Sequence, residues 1–278
     1  MLSPAGLLAA EANAVPVPPI WGVALTLLLV AVTAYVALRQ RLGLARDLMV
    51  ATVRAAVQLV AVGYALRFLF EETGLPGSLG WVGGMVVLAG QTAGRRARTL
   101  PHGRRTATLA VGTAAVATLG LLVGAQIIEA TPRIVLPLGG MVVSAAMTGA
   151  TLSLSRVADE VSTSRAIVEA RLALGLPSAQ AFEPHLRLAL RASIAPAIDQ
   201  TKVVGLITLP GAMTGLIIAG VSPVVAIRYQ IIVMYMYLGA GTIAALVAGR
   251  LAGRTLFDDA HRLRRLDSPG AAHNPRRG

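Results

Sequence analysis

Long uncharged apolar runs, recurring along most of the chain, limit its fold more than any other feature. A helix needs about 20 mostly apolar residues to cross about 30 Å of hydrocarbon. Seven segments meet or approach that length: residues 20–38, 48–66, 79–93, 106–128, 134–154, 194–219 and 226–248. With no water to satisfy it, a backbone in hydrocarbon must pair with itself, so runs of this kind become helices. The expected fold is all-α: a polytopic membrane protein of seven transmembrane helices, with a helical cytoplasmic loop between spans five and six. Of the 278 residues 55% are apolar and 14% charged, which excludes a water-soluble globule, a disordered chain and a nucleic-acid-binding module.

The charges set an orientation. Residues 39–47, 94–105, 155–193 and 249–278 together hold twenty arginines and eight acids, whereas the opposite set of ends holds three arginines (Arg67, Arg133, Arg228) and four acids. Basic residues in short loops stay cytoplasmic. The expectation is a multi-pass plasma (inner) membrane protein, N-terminus outside and C-terminus cytoplasmic. An odd number of spans requires the same arrangement. The domains expected are a short extracytoplasmic N-terminus (1–19), a seven-span transmembrane domain (20–248) with a cytoplasmic loop (155–193), and a basic cytoplasmic tail (249–278), largely disordered because of its Pro, Gly and Arg content. Residues 1–19 have no basic stretch ahead of the first apolar run, so that run is expected to stay in the mature protein.

The cytoplasmic loop reads as two helices. Arg156, Asp159, Glu160, Arg165, Glu169 and Arg171 lie on a helix-favouring background, and Gly175-Leu176-Pro177 supplies a stop: glycine just past the last turn, then proline. A second stretch, about 179–190, leads into span six. Such a hairpin is either a solvated loop or a docking element for a cytoplasmic partner. Glu169-Ala170-Arg171, three residues, then Gly175 resembles the Glu-Ala-Ala…Gly motif by which permeases of ATP-binding cassette (ABC) transporters engage their ATPase. The third position departs, with arginine for alanine. A phosphate-binding loop needs G-x-x-x-x-G-K-[ST]; the single lysine, Lys202, is followed by Val203. ATP, if used, must be bound by another subunit.

Polar residues inside the spans are expensive and mark candidate function. Arg54 and Gln58 lie four apart on one helical face. Arg54 either snorkels to the interface or pairs with an acid inside the bundle, and its sequence leaves both open. Asp199 and Lys202, three apart, can pair. Pro196 is expected to break the helix nearby. Gly205 and Pro210-Gly211, followed by Met213, are expected to interrupt span six and expose carbonyls along a path. Pro137 and Gly139-Gly140 are expected to interrupt span five similarly. The transport-pathway candidates are Arg54, Gln58, Asp199, Lys202, Pro210, Gly211 and Met213; the ATPase-coupling candidates are Glu169, Ala170, Arg171 and Gly175. The chain has no cysteine and its four histidines are scattered, so no residue is assigned as a metal ligand.

Three stretches together resemble one family. They are Arg54-Ala-Ala-Val-Gln58-Leu59 with Val62-Gly63-Tyr64; Pro137-Leu138-Gly139-Gly140-Met141 with Met147; and Asp199-x-x-Lys202-x-Val204-Gly205-Leu206-x-x-Leu209-Pro210-Gly211-x-Met213-x-Gly215, continuing to Ala226-Ile227-x-Tyr229-Gln230-Ile231. The chain is similar to the FetB-type ABC transporter permeases, which include bacterial iron-export permeases and plant permeases linked to aluminium tolerance. Ser144-Ala145 stands where that family is expected to carry Gly-Asn. The resemblance implies a homodimer working with cytoplasmic ABC ATPase subunits and exporting iron or another metal. On that reading the chain is no enzyme and binds no cofactor itself, ATP being used by its partner. The residues alone leave open an ATPase-independent channel or secondary transporter for an ion or small solute.

Overall fold

A computed structural model describes residues 19–264 except 42, 70–73, 98, 208 and 259. The described residues form eight helices: α1 (Ile20–Arg39), α2 (Ala45–Phe68), α3 (Gly74–Arg96), α4 (Gly103–Gly124), α5 (Pro132–Ala173), α6 (Ser178–Val203), α7 (Gly211–Ile218) and α8 (Pro223–Thr255). Four of them are long and apolar enough to cross a membrane, over Ala45–Leu66 and in α4, α5 and α8. The other three predicted spans fall short of that measure for separate reasons. Helix α1 is apolar over all 20 of its residues up to the terminal Arg39, but its fully described stretch is Ala24–Arg39. Helix α3 is rich in glycine, which adds little hydropathy, and span six is divided between α6 and α7.

The described residues fall into two compact units, one within 1–74 and 214–223, the other within 75–213 and 224–278. In the first, α1 and α2 pack on one another. Arg41 and Gly43, both at positive φ, reverse the chain between them. Asp47 sits in the first turn of α2, where the helix dipole favours an acid.

The second unit is held by small residues. Lipid tails are as apolar as leucine, so helices in a bilayer associate through close packing rather than through hydrophobic burial. Its core is accordingly alanine and valine: Ala107, Ala110, Val111, Ala114, Val142, Ala146, Ala150, Ala240 and Ala244 are fully buried. Gly149 of α5 faces the backbone of Gly241 on α8 so closely that a Cβ there would run into the Gly241 carbonyl oxygen. Its polar companion lies one turn on: buried Ser153 donates from Oγ to the Ala245 carbonyl at 2.7 Å. Large apolar side chains point outward instead, among them Leu109, Val116 and Leu121 of α4. Exposed apolar surface of that extent suits acyl chains.

Helix α5 runs unbroken for 42 residues, from Pro132 at its first position to Ala173. The interruption expected at Pro137 and Gly139-Gly140 is absent. Pro137 lies in the second turn, so its missing N–H leaves only the Arg133 carbonyl without a donor, and that carbonyl sits near the helix end rather than mid-helix. Gly139 instead lets Val82 of α3 approach. Pro196 likewise fails to break its helix, since α6 continues through Pro184 and Pro196 to Val203. The break falls after it. Gly205 has φ +86, and residues 204–207, 209 and 210 are non-helical before α7 starts at Gly211.

Helix α8 carries the first residues of the predicted tail, to Thr255, and the chain then turns back through a bridge between Phe257 and Leu263. Residues 1–18 and 265–278, including the rest of the basic tail and the N-terminal segment, lie outside the described residues.

Candidate functional site: a coupling hairpin and an interrupted span

The hairpin is built by the ends of α5 and α6. Ordinary helix-favouring residues take α5 well past its apolar part, and Gly175 ends it. At φ +87 it donates its N–H to the Leu172 carbonyl, while the Leu176 N–H reaches the Arg171 carbonyl at 3.2 Å. That pair of bonds is a Schellman motif, which only a left-handed residue closes readily. Pro177 then starts α6. The turn exposes Leu174 by 80%, and Ile167 lies exposed further back on α5.

Glu169 and Ala170 are exposed, and Arg171 is half-buried. Glu169 accepts from Arg165 Nε at 2.8 Å, one turn back. Arg171 Nη1 donates to the Ala181 carbonyl at 3.2 Å, tying the end of α5 to the start of α6. The arginine that departs from the Glu-Ala-Ala pattern therefore staples the hairpin. Glu169 and Gly175 line a groove of about 720 Å³ with Leu172, Leu176 and the returning C-terminal segment Ala260–Leu263. Arg165 holds that segment by donating to the carbonyls of Leu263 (3.0 Å) and Arg264 (3.2 Å), and Ser178 Oγ meets His261 Nδ1 at 3.0 Å. Deeper in the hairpin, His185 Nδ1 lies 3.4 Å from Glu160 Oε2, and Phe182 stacks on the His185 ring.

The second region lies at the end of α6. Asp199 and Lys202 pair at 3.0 Å with both side chains about two-thirds exposed. A pair in that setting contributes little to stability where water reaches it. Beyond it, Val203 closes the helix by accepting from Leu206 and Ile207. The non-helical residues and α8 enclose a cavity of about 480 Å³ lined by Thr201, Gly205, Pro210, Met213, Gln230 and Met234, among others. Gln230 is 6% exposed and its Oε1 meets no hydrogen-bond donor among the described residues. A buried amide oxygen costs about 1–3 kcal/mol unless water or a ligand in the cavity donates to it.

Pro210 and Met213 thus line the cavity, whereas Gly211 opens α7 beside it. Arg54 and Gln58 share a face of α2, exposed, in the first unit. Among the described residues no three His, Cys, Asp or Glu side chains come together as a metal-binding group. The cavity lining holds an amide, the hydroxyl-bearing residues Thr201 and Tyr235, and two thioethers instead. Gln230 and Met234 are missing from the expected pathway residues. The available signal was an amide inside an otherwise apolar run, one helical turn before a methionine. Arg165 gave none, because its partners lie 98 and 99 residues away.

A family described as an uncharacterised protein family, UPF0014, matches residues 20–257. The UPF0014 membrane protein STAR2 of rice is 39% identical over 240 residues, covering 84% of each chain. The Arabidopsis thaliana protein ALUMINUM SENSITIVE 3 is 36% identical, over 86% of this chain and 88% of its own. The probable iron export permease protein FetB of Escherichia coli is 32% identical, over 86% of this chain and 93% of its own. No solved structure matches. With apolar helices fit to span a bilayer several times, and relatives of this identity aligned along most of their length, the chain belongs to the UPF0014 family of membrane proteins.

Proposed function

We propose that this chain is the permease subunit of an ABC transporter that exports iron or another metal, driven by a separate ATPase. The observation that carries the reading is the coupling hairpin. From Leu154, the end of the apolar run, α5 continues to Ala173, a rise of about 28 Å at 1.5 Å per residue. It ends in a rigid turn that presents Leu174 to a partner. Burying one such leucine contributes about 1.5–3 kcal/mol. The name of the Escherichia coli relative, a probable iron export permease, supports metal as the cargo. In this reading the chain crosses the inner membrane seven times, with its N-terminus outside and the hairpin in the cytoplasm. Two copies pair in the membrane, and each engages an ATPase through Glu169, Ala170, Arg171 and Gly175.

The test is to purify the full chain in mild detergent and identify what accompanies it. An ABC ATPase in stoichiometric amount is the expected companion. Metal flux through liposomes holding this chain alone, without ATP, would favour a channel or secondary transporter instead.

The interrupted span supplies the pathway in this reading, with Asp199 and Lys202 near its mouth and Gln230 facing the cavity. Gln230→Leu keeps the volume close and removes the unpaired oxygen. Melting temperature is expected to rise, because about 1 kcal/mol or more of desolvation cost disappears. ATP-driven metal transport in proteoliposomes is expected to fall about tenfold through loss of one polar contact. Unchanged transport would separate Gln230 from the pathway.

A further inference from the structure

We propose that the groove between the start of α6 and the end of α8 binds the headgroup of an anionic phospholipid. The groove, about 570 Å³, is lined by Arg187, Arg250 and Arg254 on its polar side and by Leu186, Leu190 and Phe257 on its apolar side. Phe182 braces Phe257 edge-on, with ring centroids 6.3 Å apart. Its one glutamate, Glu183, is taken by Arg187 at 2.9 Å. Nearby Asp258 spends Oδ1 on the backbone N–H groups of Ala260 and Arg262.

Arg250 and Arg254 are left without an ion pair or hydrogen bond among the described residues. They stand one turn apart on α8, where like charges repel unless an anion lies between them. A guanidinium fork suits a phosphodiester, which it can grip with two parallel bonds. The position fits a lipid better than a free ion. Arg250 follows the apolar run that ends at Ala248 by two residues, so it lies about 3 Å beyond it and Arg254 about 9 Å. That is the depth of the headgroup layer, which is about 5–8 Å thick on each side. Leu190, level with Gly249 on the bilayer side of the arginines, and Leu186, level with Gly253, offer the glycerol and upper acyl chain an apolar wall, which phosphate alone has no use for. Basic pockets between spans at this level are suited to anionic headgroups. The inference needs only that the chain spans the membrane, and it stands or falls apart from the permease reading.

The full chain in mild detergent is studied by native mass spectrometry with phosphatidylglycerol, phosphatidylcholine or inorganic phosphate added at equal concentration. Phosphatidylglycerol is expected to stay bound through conditions that strip phosphatidylcholine. Arg250→Gln with Arg254→Gln is expected to weaken it about 30-fold, whereas Arg95→Gln with Arg96→Gln, outside the groove, leaves it unchanged. Gly253→Val tests the apolar side with both charges kept. A Cβ there makes ordinary contact with Leu186 and Phe182 carbons at 3.6–3.9 Å, and the two methyls beyond it narrow the groove; an unchanged melting temperature checks that the variant folds. It too is expected to release the lipid. Equal retention of phosphatidylglycerol by the double variant and by Gly253→Val overturns the proposal. Displacement of the lipid by phosphate makes the groove a site for free anions and overturns it as well. Loss of a co-purifying protein from the double variant, with lipid retention unchanged, assigns the arginines to a protein partner and does the same.

Discussion

Gly149→Ala is expected to destabilise the protein by about 3 kcal/mol or more, the upper range for overpacking a core that cannot relax. Gly241→Ala, at the other side of the same contact, is expected to be neutral or to stabilise by up to about 1 kcal/mol, since alanine favours helix over glycine by that amount. The asymmetry comes from geometry. A Cβ on Gly149 points into the Gly241 backbone, with the carbonyl carbon at 2.9 Å and the Cα at 3.1 Å, and backbone has no rotamer by which to yield. A Cβ on Gly241 comes no nearer than 3.5 Å to the Ala145 carbonyl oxygen, an ordinary contact. The same methyl group, added on either side of one interface, should therefore act in opposite directions. Melting temperature and yield of monodisperse protein in one detergent measure it. Equal melting of the two variants would mean that α5 and α8 part without cost.

At Gly175 the expected effect is on partnership rather than on folding. A Cβ there meets nothing within 4 Å, so no packing is disturbed, but φ is +87. Proline, fixed near −65°, cannot take that conformation and has no N–H for the Leu172 carbonyl. Gly175→Pro should open the turn, misdirect Leu174 and Glu169, and lower ATPase co-purification at least tenfold, about the loss of one interface hot spot. Insertion and melting temperature should hardly change. Gly175→Asn is the control. Asparagine enters the left-handed region more readily than other side chains, and retention of the ATPase is expected with it. Full retention with proline would show that the turn carries no coupling.

How much of this was legible in the sequence follows from the range of the forces involved. The stop at Gly175-Leu176-Pro177 was legible because it is local: positive φ, a missing donor and two short bonds act within six residues. The break in span six was legible in the same way from Gly205 and Pro210. Pro137 and Pro196 misled because proline costs a helix one hydrogen bond, and neighbouring turns or a helix end can absorb that loss. Hydropathy ends span five near residue 154 and leaves a separate loop helix beyond it, yet hydropathy marks only where apolar surface stops, and the backbone ladder joins the two into one helix to Ala173. The contacts of Arg165 with Leu263 and Arg264 join parts of the chain that no local pattern relates. The same holds for Gly149 against Gly241, where both residues look like ordinary glycines in ordinary apolar helices.

Helix α5 has a mechanical consequence. It contains both Gly149, locked against α8, and the Arg171–Gly175 turn, and nothing between them interrupts its 42 residues. A continuous α-helix bends little, because a hinge would require breaking several backbone bonds at once. At about 63 Å long, it converts a tilt of about 5° into a displacement of about 5 Å between its two ends. Force applied at the hairpin would therefore act as on a lever whose fulcrum is the glycine contact with α8. A stroke at the tip would swing the Pro132 end the opposite way, with no intermediate joint to delay or dampen it.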